Sequence, residues 1–119
     1  MKVLIVDDNR LITYMVSKYV KNHFNAEVVV AQNGEKGLKT FKQSKFDLII
    51  TDCHMPILEG YEMVERIRSI DQEVKIIAFT IFEDEIHRGL MKKAGVDTYV
   101  VKDGDIKVLM QTIEELMPQ

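Results

Sequence analysis

Tryptophan is absent from the chain, and cysteine occurs once, as Cys53. A single cysteine excludes an internal disulfide and points to a reducing compartment. No apolar run approaches the roughly 20 residues that a membrane-crossing helix needs, so no membrane association is expected. Only two prolines are present, Pro56 and Pro118, and no linker, low-complexity tract or repeat divides the chain. Charge of one sign is scarce as well. Sixteen basic and 19 acidic residues give a formal net charge of −3, a poor match to nucleic-acid phosphates. The N-terminal run Met1–Val6 meets Asp7 and Asp8 at once. It is too short for a signal peptide and has no small-residue cleavage site. The expectation is a cytoplasmic protein that starts directly with a strand.

What is present fits one domain over residues 1–119 with no effector domain attached: 119 residues, 46% hydrophobic and 29% charged, enough for one core. Short apolar runs alternate with longer amphipathic segments. Val3–Val6, Val28–Ala31, Asp47–Thr51, Val74–Phe79 and Thr98–Val101 have strand length. Between and after them lie five helical stripes. The first is Leu11, Ile12, Met15, Val16, Tyr19 and Val20. Leu38 and Phe41 mark a short second helix, behind the turn signal Gln32-Asn33-Gly34. Tyr61, Val64, Ile67 and Ile70 stripe the third. Ile86, Leu90 and Ala94 stripe a fourth that Gly95 ends. Ile106, Leu109, Met110, Ile113 and Leu116 line the last. The order is (βα)5. Strict alternation implies an α/β fold, a doubly wound parallel sheet with helices on both faces. Uninterrupted apolar runs suit strands buried on both sides. A split α+β fold is the alternative.

The polar residues fall where ligands bind in such a sheet, at the carboxyl ends of the strands. Asp7 and Asp8 follow the first run, Asp52 the third, Thr80 the fourth and Lys102 the fifth. Three clustered carboxylates repel one another, and a divalent cation resolves the conflict. The side-chain donors are all hard oxygens, which favours Mg²⁺ over Zn²⁺. A lysine and a hydroxyl across the pocket suit the remaining oxygens of a phosphoryl group. One carboxylate must stay free as the nucleophile. Asp52 stands alone on a central strand and is the candidate; Asp7 and Asp8 are a pair suited to the metal. Singly, each residue has a plainer reading. Asp7, Asp8 or Asn9 could cap the first helix. Thr80 could be a β-former, Lys102 a solvated lysine, Tyr99 plain core. His54 reads as a loop side chain, His23 and His87 as helix-surface residues, and Cys53 as packing.

Together, the pair Asp7-Asp8, the segment Asp52-Cys53-His54-Met55-Pro56 with Gly60, Thr80, Tyr99 and Lys102 resemble the response-regulator receiver family of two-component signalling, in its order and near its spacing. Ala31-Gln32-Asn33-Gly34 is similar to the family's turn after the second strand. The resemblance covers essentially the whole chain and implies a strand order 2-1-3-4-5. It implies that Asp52 takes a phosphoryl group from a sensor histidine kinase or a phosphotransfer protein. It implies Mg²⁺, or Mn²⁺ in its place, held by Asp8, by Asp7 through water, by Asp52 and by the backbone carbonyl of His54. Lys102 would pair with the phosphoryl group or, before it arrives, with Asp52. Thr80 would move to the phosphoryl oxygen and Tyr99 turn inward. The changed surface, mainly the fourth helix and fifth strand, would then be read by a protein target or a fused effector. On this reading the chain is a phosphoprotein and no conventional enzyme, although it catalyses its own phosphorylation and dephosphorylation.

Two positions depart from the family pattern. Lys102 precedes Asp103, where proline after a cis bond is common, and Asp103 and Asp105 could compete with Asp52 for the lysine. Ile81 follows Thr80, where a small residue is usual, and its bulk could narrow access to Asp52. Two other functions fit the residues less well: a phosphate-independent binding module of the same fold, and an aspartate-nucleophile phosphohydrolase, which generally needs an acid at the position of His54.

Overall fold

The computed structural model describes residues 1–118. Strands and helices alternate without exception: β1 (Lys2–Val6), α1 (Arg10–Phe24), β2 (Glu27–Ala31), α2 (Gly34–Gln43), β3 (Leu48–Thr51), α3 (Gly60–Arg68), β4 (Lys75–Thr80), α4 (Glu85–Ala94), β5 (Thr98–Val101) and α5 (Ile106–Leu116). All pairings are parallel, in the order β2-β1-β3-β4-β5. The order reverses at β1 and β3, and Val6 pairs with Thr51 there. Asp7 and Asp52 therefore leave the sheet side by side at its switch point.

Strand alternation divides the core in two. Leu4, Val6, Ile49, Ile76 and Ala78 face α2, α3 and α4, where they meet Phe41, Met63, Val64, Ile67, Met91 and Ala94. Val3, Ile5, Leu48, Ile50, Ile77 and Phe79 face α1 and α5, against Val16, Val20, Leu109, Met110 and Ile113. Burying one such side chain contributes about 1.5–3 kcal/mol, so the two layers together fix the register of every strand.

Helix starts are set by side chains. Asn9 caps α1 by accepting from the N–H groups of Leu11 and Ile12. Asn33, expected in a turn, caps α2 by accepting from Lys36 N–H. Asp84 caps α4 and Asp105 caps α5. Gly95 ends α4 in the left-handed region at φ 120°, as the sequence predicts. The stripe on α4 differs from expectation. The inward residues are His87, Met91 and Ala94, with His87 partly buried, whereas Ile86 and Leu90 are exposed. A shift of one residue rotates a helix face by about 100°. Leu11 and Tyr19 on α1 and Ile70 after α3 are also exposed.

At the sheet end opposite the switch point, Arg68 joins three elements. Its guanidinium donates to the carbonyls of Gly95 at 2.9 Å and Val74 at 2.7 Å, and to Asp97 Oδ2 at 3.0 Å. The same Asp97 oxygen accepts from Ile76 N–H at 2.8 Å.

Candidate functional site

The carboxylates of Asp7, Asp8 and Asp52 each place an oxygen within 4.8 Å of the other two. Asp7 is buried, Asp52 partly buried and Asp8 exposed. Because Asn9 caps α1, neither aspartate of the pair is needed there, and both are left to the pocket. Asp7 Oδ1 accepts from Asn9 N–H at 2.9 Å. Asp52 Oδ1 accepts from Cys53 N–H at 2.7 Å, which leaves Oδ2 toward β5.

Lys102 enters from the end of β5. Its Nζ lies 2.6 Å from Asp7 Oδ2 and 3.3 Å from Asp52 Oδ2, so in this state its shorter pair is with Asp7. Burial pushes the Asp7 carboxyl above its ordinary range, and the Lys102 ammonium beside it offsets only part of that shift. One ammonium among three carboxylates leaves negative charge uncompensated, and a hard divalent cation is the chemistry this donor set fits. Asp103 and Asp105 do not take Lys102 away. Asp103 accepts from Asp105 N–H and Asp105 from Lys107 N–H. No described peptide bond is cis, so the one after Lys102 is trans.

Thr80 is fully buried at the end of β4, and its Oγ1 accepts from Phe82 N–H at 3.4 Å. Tyr99 is half-buried on β5 and donates its hydroxyl to the Phe82 carbonyl at 2.8 Å. Burial raises the Tyr99 phenol to about 12. Thr80 and Tyr99 thus hold the same residue of the β4–α4 loop. Ile81, directly after Thr80, is 65% exposed.

The β3–α3 loop is drawn tight around Asp52. Gly60 N–H donates to the Cys53 carbonyl at 2.9 Å, and a Cβ on Gly60 would lie 1.9 Å from the Asp52 carbonyl oxygen. Ile57 sits at φ 73° while Leu58 N–H donates to the Pro56 carbonyl at 2.8 Å. That is a γ-turn in a region branched side chains disfavour. Cys53 is fully buried, and burial lifts its thiol to about 11.

One grouping escaped the sequence. The His54 side chain is bonded by Glu59 and meets the ring of His87, 33 residues away on α4, with Nε2 to Nε2 at 2.8 Å. The only signal available was that both rings follow strand ends on neighbouring strands, β3 and β4.

Comparison with known proteins finds relatives of the same fold. The model of the response regulator receiver domain matches residues 3–114. The chain is 37% identical, over 97% of its length, to part of hybrid signal transduction histidine kinase D of Dictyostelium discoideum, of which it covers 7%. It is 33% identical, over 97% of its length, to half of the transcriptional regulatory protein AfsQ1 of Streptomyces coelicolor. The chain therefore spans at most about half the length of such curated relatives. Among solved structures, the Vibrio cholerae chemotaxis protein CheY4 superimposes with a TM-score of 0.89 at 30% identity, covering 98% of both chains. The response regulator TrrA of Thermotoga maritima, solved in complex with Mg²⁺-BeF, gives 0.88 at 30% identity, again covering 98% of both chains.

Proposed function

Because this chain belongs to the response regulator receiver domain family, we propose that Asp52 accepts a phosphoryl group from the phosphohistidine of a sensor kinase or phosphotransfer protein, in a Mg²⁺-dependent reaction. The family is a signalling domain and no classical enzyme. The observation that carries the reading is the meeting of three carboxylates with one ammonium at the switch point of a parallel sheet.

An Asp52 carboxylate oxygen forms the new O–P bond as the N–P bond of the donor breaks. Asp7, Asp8, Asp52 and the His54 backbone carbonyl are the groups that would hold Mg²⁺, or Mn²⁺ in its place. When bound, the cation supplies charge neutralisation to the phosphoryl oxygens. Lys102, now shared by Asp7 and Asp52, is within reach of the arriving anion and pairs with it. The Thr80 hydroxyl turns from Phe82 N–H to a phosphoryl oxygen. Tyr99 follows inward, since both side chains hold Phe82. The face of α4 and β5 changes with them, and a protein target or an effector domain joined to this one reads it. That is a two-state equilibrium biased by one covalent charge change. The reaction runs in the cytoplasm. No described helix is long and apolar enough to cross a membrane.

Intact mass after incubation with a small-molecule phosphodonor and Mg²⁺ tests the reading. The expected gain is one phosphoryl group, lost in Asp52→Asn and without metal. Folded protein that takes no phosphate from either the small donor or a cognate kinase would overturn it.

A further inference from the structure

His54 and His87 approach each other from separate elements of the chain. His54 lies in the loop after β3, and His87 in the first turn of α4. Their Nε2 atoms are 2.8 Å apart. Each ring is bonded at its other nitrogen by a carboxylate: Glu59 on His54 Nδ1, and Asp84 on His87 Nδ1 at 2.6 Å. Phe82 stacks on the His87 ring at 4.0 Å and meets the His54 ring edge-on at 5.1 Å, so neither ring turns freely.

An ionised carboxylate only accepts hydrogen bonds, so Nδ1 is the donor in each ring. In neutral imidazoles both Nε2 atoms then carry lone pairs. Two lone pairs brought to within 2.8 Å of each other repel unless a cation takes both. We propose that His54 Nε2 and His87 Nε2 are the ligands of a second metal site, separate from the carboxylate pocket, for a borderline transition-metal dication of the nickel, copper or zinc class.

Three features favour a metal ion over a proton shared by the rings. A carboxylate behind each ligating histidine is the recurring partner that orients the ring and raises its basicity. Two carboxylates and two neutral imidazoles carry a charge of −2, which a dication cancels and a proton only halves. Metal–nitrogen bonds of about 2.0 Å to atoms 2.8 Å apart enclose an angle of about 90°, that of neighbouring ligands on tetragonal nickel(II) or copper(II). The side chain of His54 is 43% exposed, so the site is open to ions and to the water ligands that complete the shell. Imidazole nitrogen does not suit Mg²⁺, so the two sites sort ions by donor chemistry. The site owes nothing to the reactivity of Asp52. A bound ion would tie the loop that carries His54 to α4.

The test is calorimetric titration of tag-free protein with Ni²⁺ and, separately, Zn²⁺, in excess Mg²⁺ to fill the carboxylate pocket. One ion per chain is expected. His87→Ala and His54→Ala should each weaken binding at least about tenfold, and Asp84→Asn about tenfold by loosening the orienting bond. His23→Ala should bind as the wild type does. Circular dichroism checks that each variant is folded. No saturable binding by the wild type, or equal affinity in folded His87→Ala, overturns the proposal and leaves a proton between the rings.

Discussion

Lys102 stands 2.6 Å from Asp7 and 3.3 Å from Asp52, so the ammonium from β5 chiefly neutralises Asp7. Removing it in Lys102→Met leaves three carboxylates facing one another. The metal-free protein should lose about 1–3 kcal/mol, the usual cost of a buried group deprived of its partner. Mg²⁺ should bind more tightly, because no cation competes for the same oxygens. Thermal melts with and without Mg²⁺ check both: the variant should start lower and gain more from the ion. A smaller gain than in the wild type would show that Lys102 helps to hold the cation.

Asp7 should limit stability when no metal is bound. Its folded-state pKa lies above the ordinary value because of burial. The folded protein therefore binds this proton more tightly than the unfolded chain does. Stability from this group is present at low pH and is lost as pH rises through the folded-state pKa. Asp7→Asn removes that penalty while keeping an acceptor for Asn9 N–H. In chelator at neutral pH its melting midpoint should exceed that of the wild type, and the difference should shrink on acidification. Its Mg²⁺ affinity should fall.

Two glycines should respond in opposite directions to alanine. At Gly60 a Cβ would meet the Asp52 carbonyl oxygen at 1.9 Å, and backbone must shift to admit it. Gly60→Ala should cost about 3 kcal/mol and disturb the loop that follows Asp52. At Gly89, within α4, nothing lies within 4 Å of an added Cβ. Gly89→Ala should stabilise by about 0.5–1 kcal/mol through helix propensity alone. Urea titrations of the two variants give the comparison.

Arg68 should matter for stability and not for phosphate uptake. It bonds carbonyls after α3 and α4 and the carboxylate of Asp97, all at the end of the sheet away from Asp52. Arg68→Ala should cost about 2–3 kcal/mol, since charged hydrogen bonds to partly buried acceptors are lost together. Phosphorylation by a small donor, measured well below the variant's melting midpoint, should keep its wild-type rate.

The strands and their parallel pairing were legible because period-free apolar runs and strict alternation leave few topologies, whereas their order came from the resemblance to the receiver family. Asp7, Asp8, Asp52 and Lys102 were legible as one group because chain direction places every carboxyl end of a parallel sheet on one side. What the sequence withheld was set by tertiary contact. The α4 stripe 86-90-94 and the stripe 87-91-94 have the same helical period, and only the packed structure shows that Met91 is the residue buried in the core. The preference of Lys102 for Asp7 depends on fractions of an ångström that no spacing encodes. The roles of Asn33 as a cap and of Arg68 as a clasp between three elements were hidden because most of their partners are backbone groups, which carry no residue signature.

Lys102 meets Asp7 across 95 positions of the chain and Asp52 across 50. During synthesis the three carboxylates leave the ribosome well before their ammonium does. Until β5 docks against β4, only ions from solution can balance them. Completion of this pocket therefore waits for β5, and a chain halted before that strand would display the carboxylates without the counter-charge that completes the constellation.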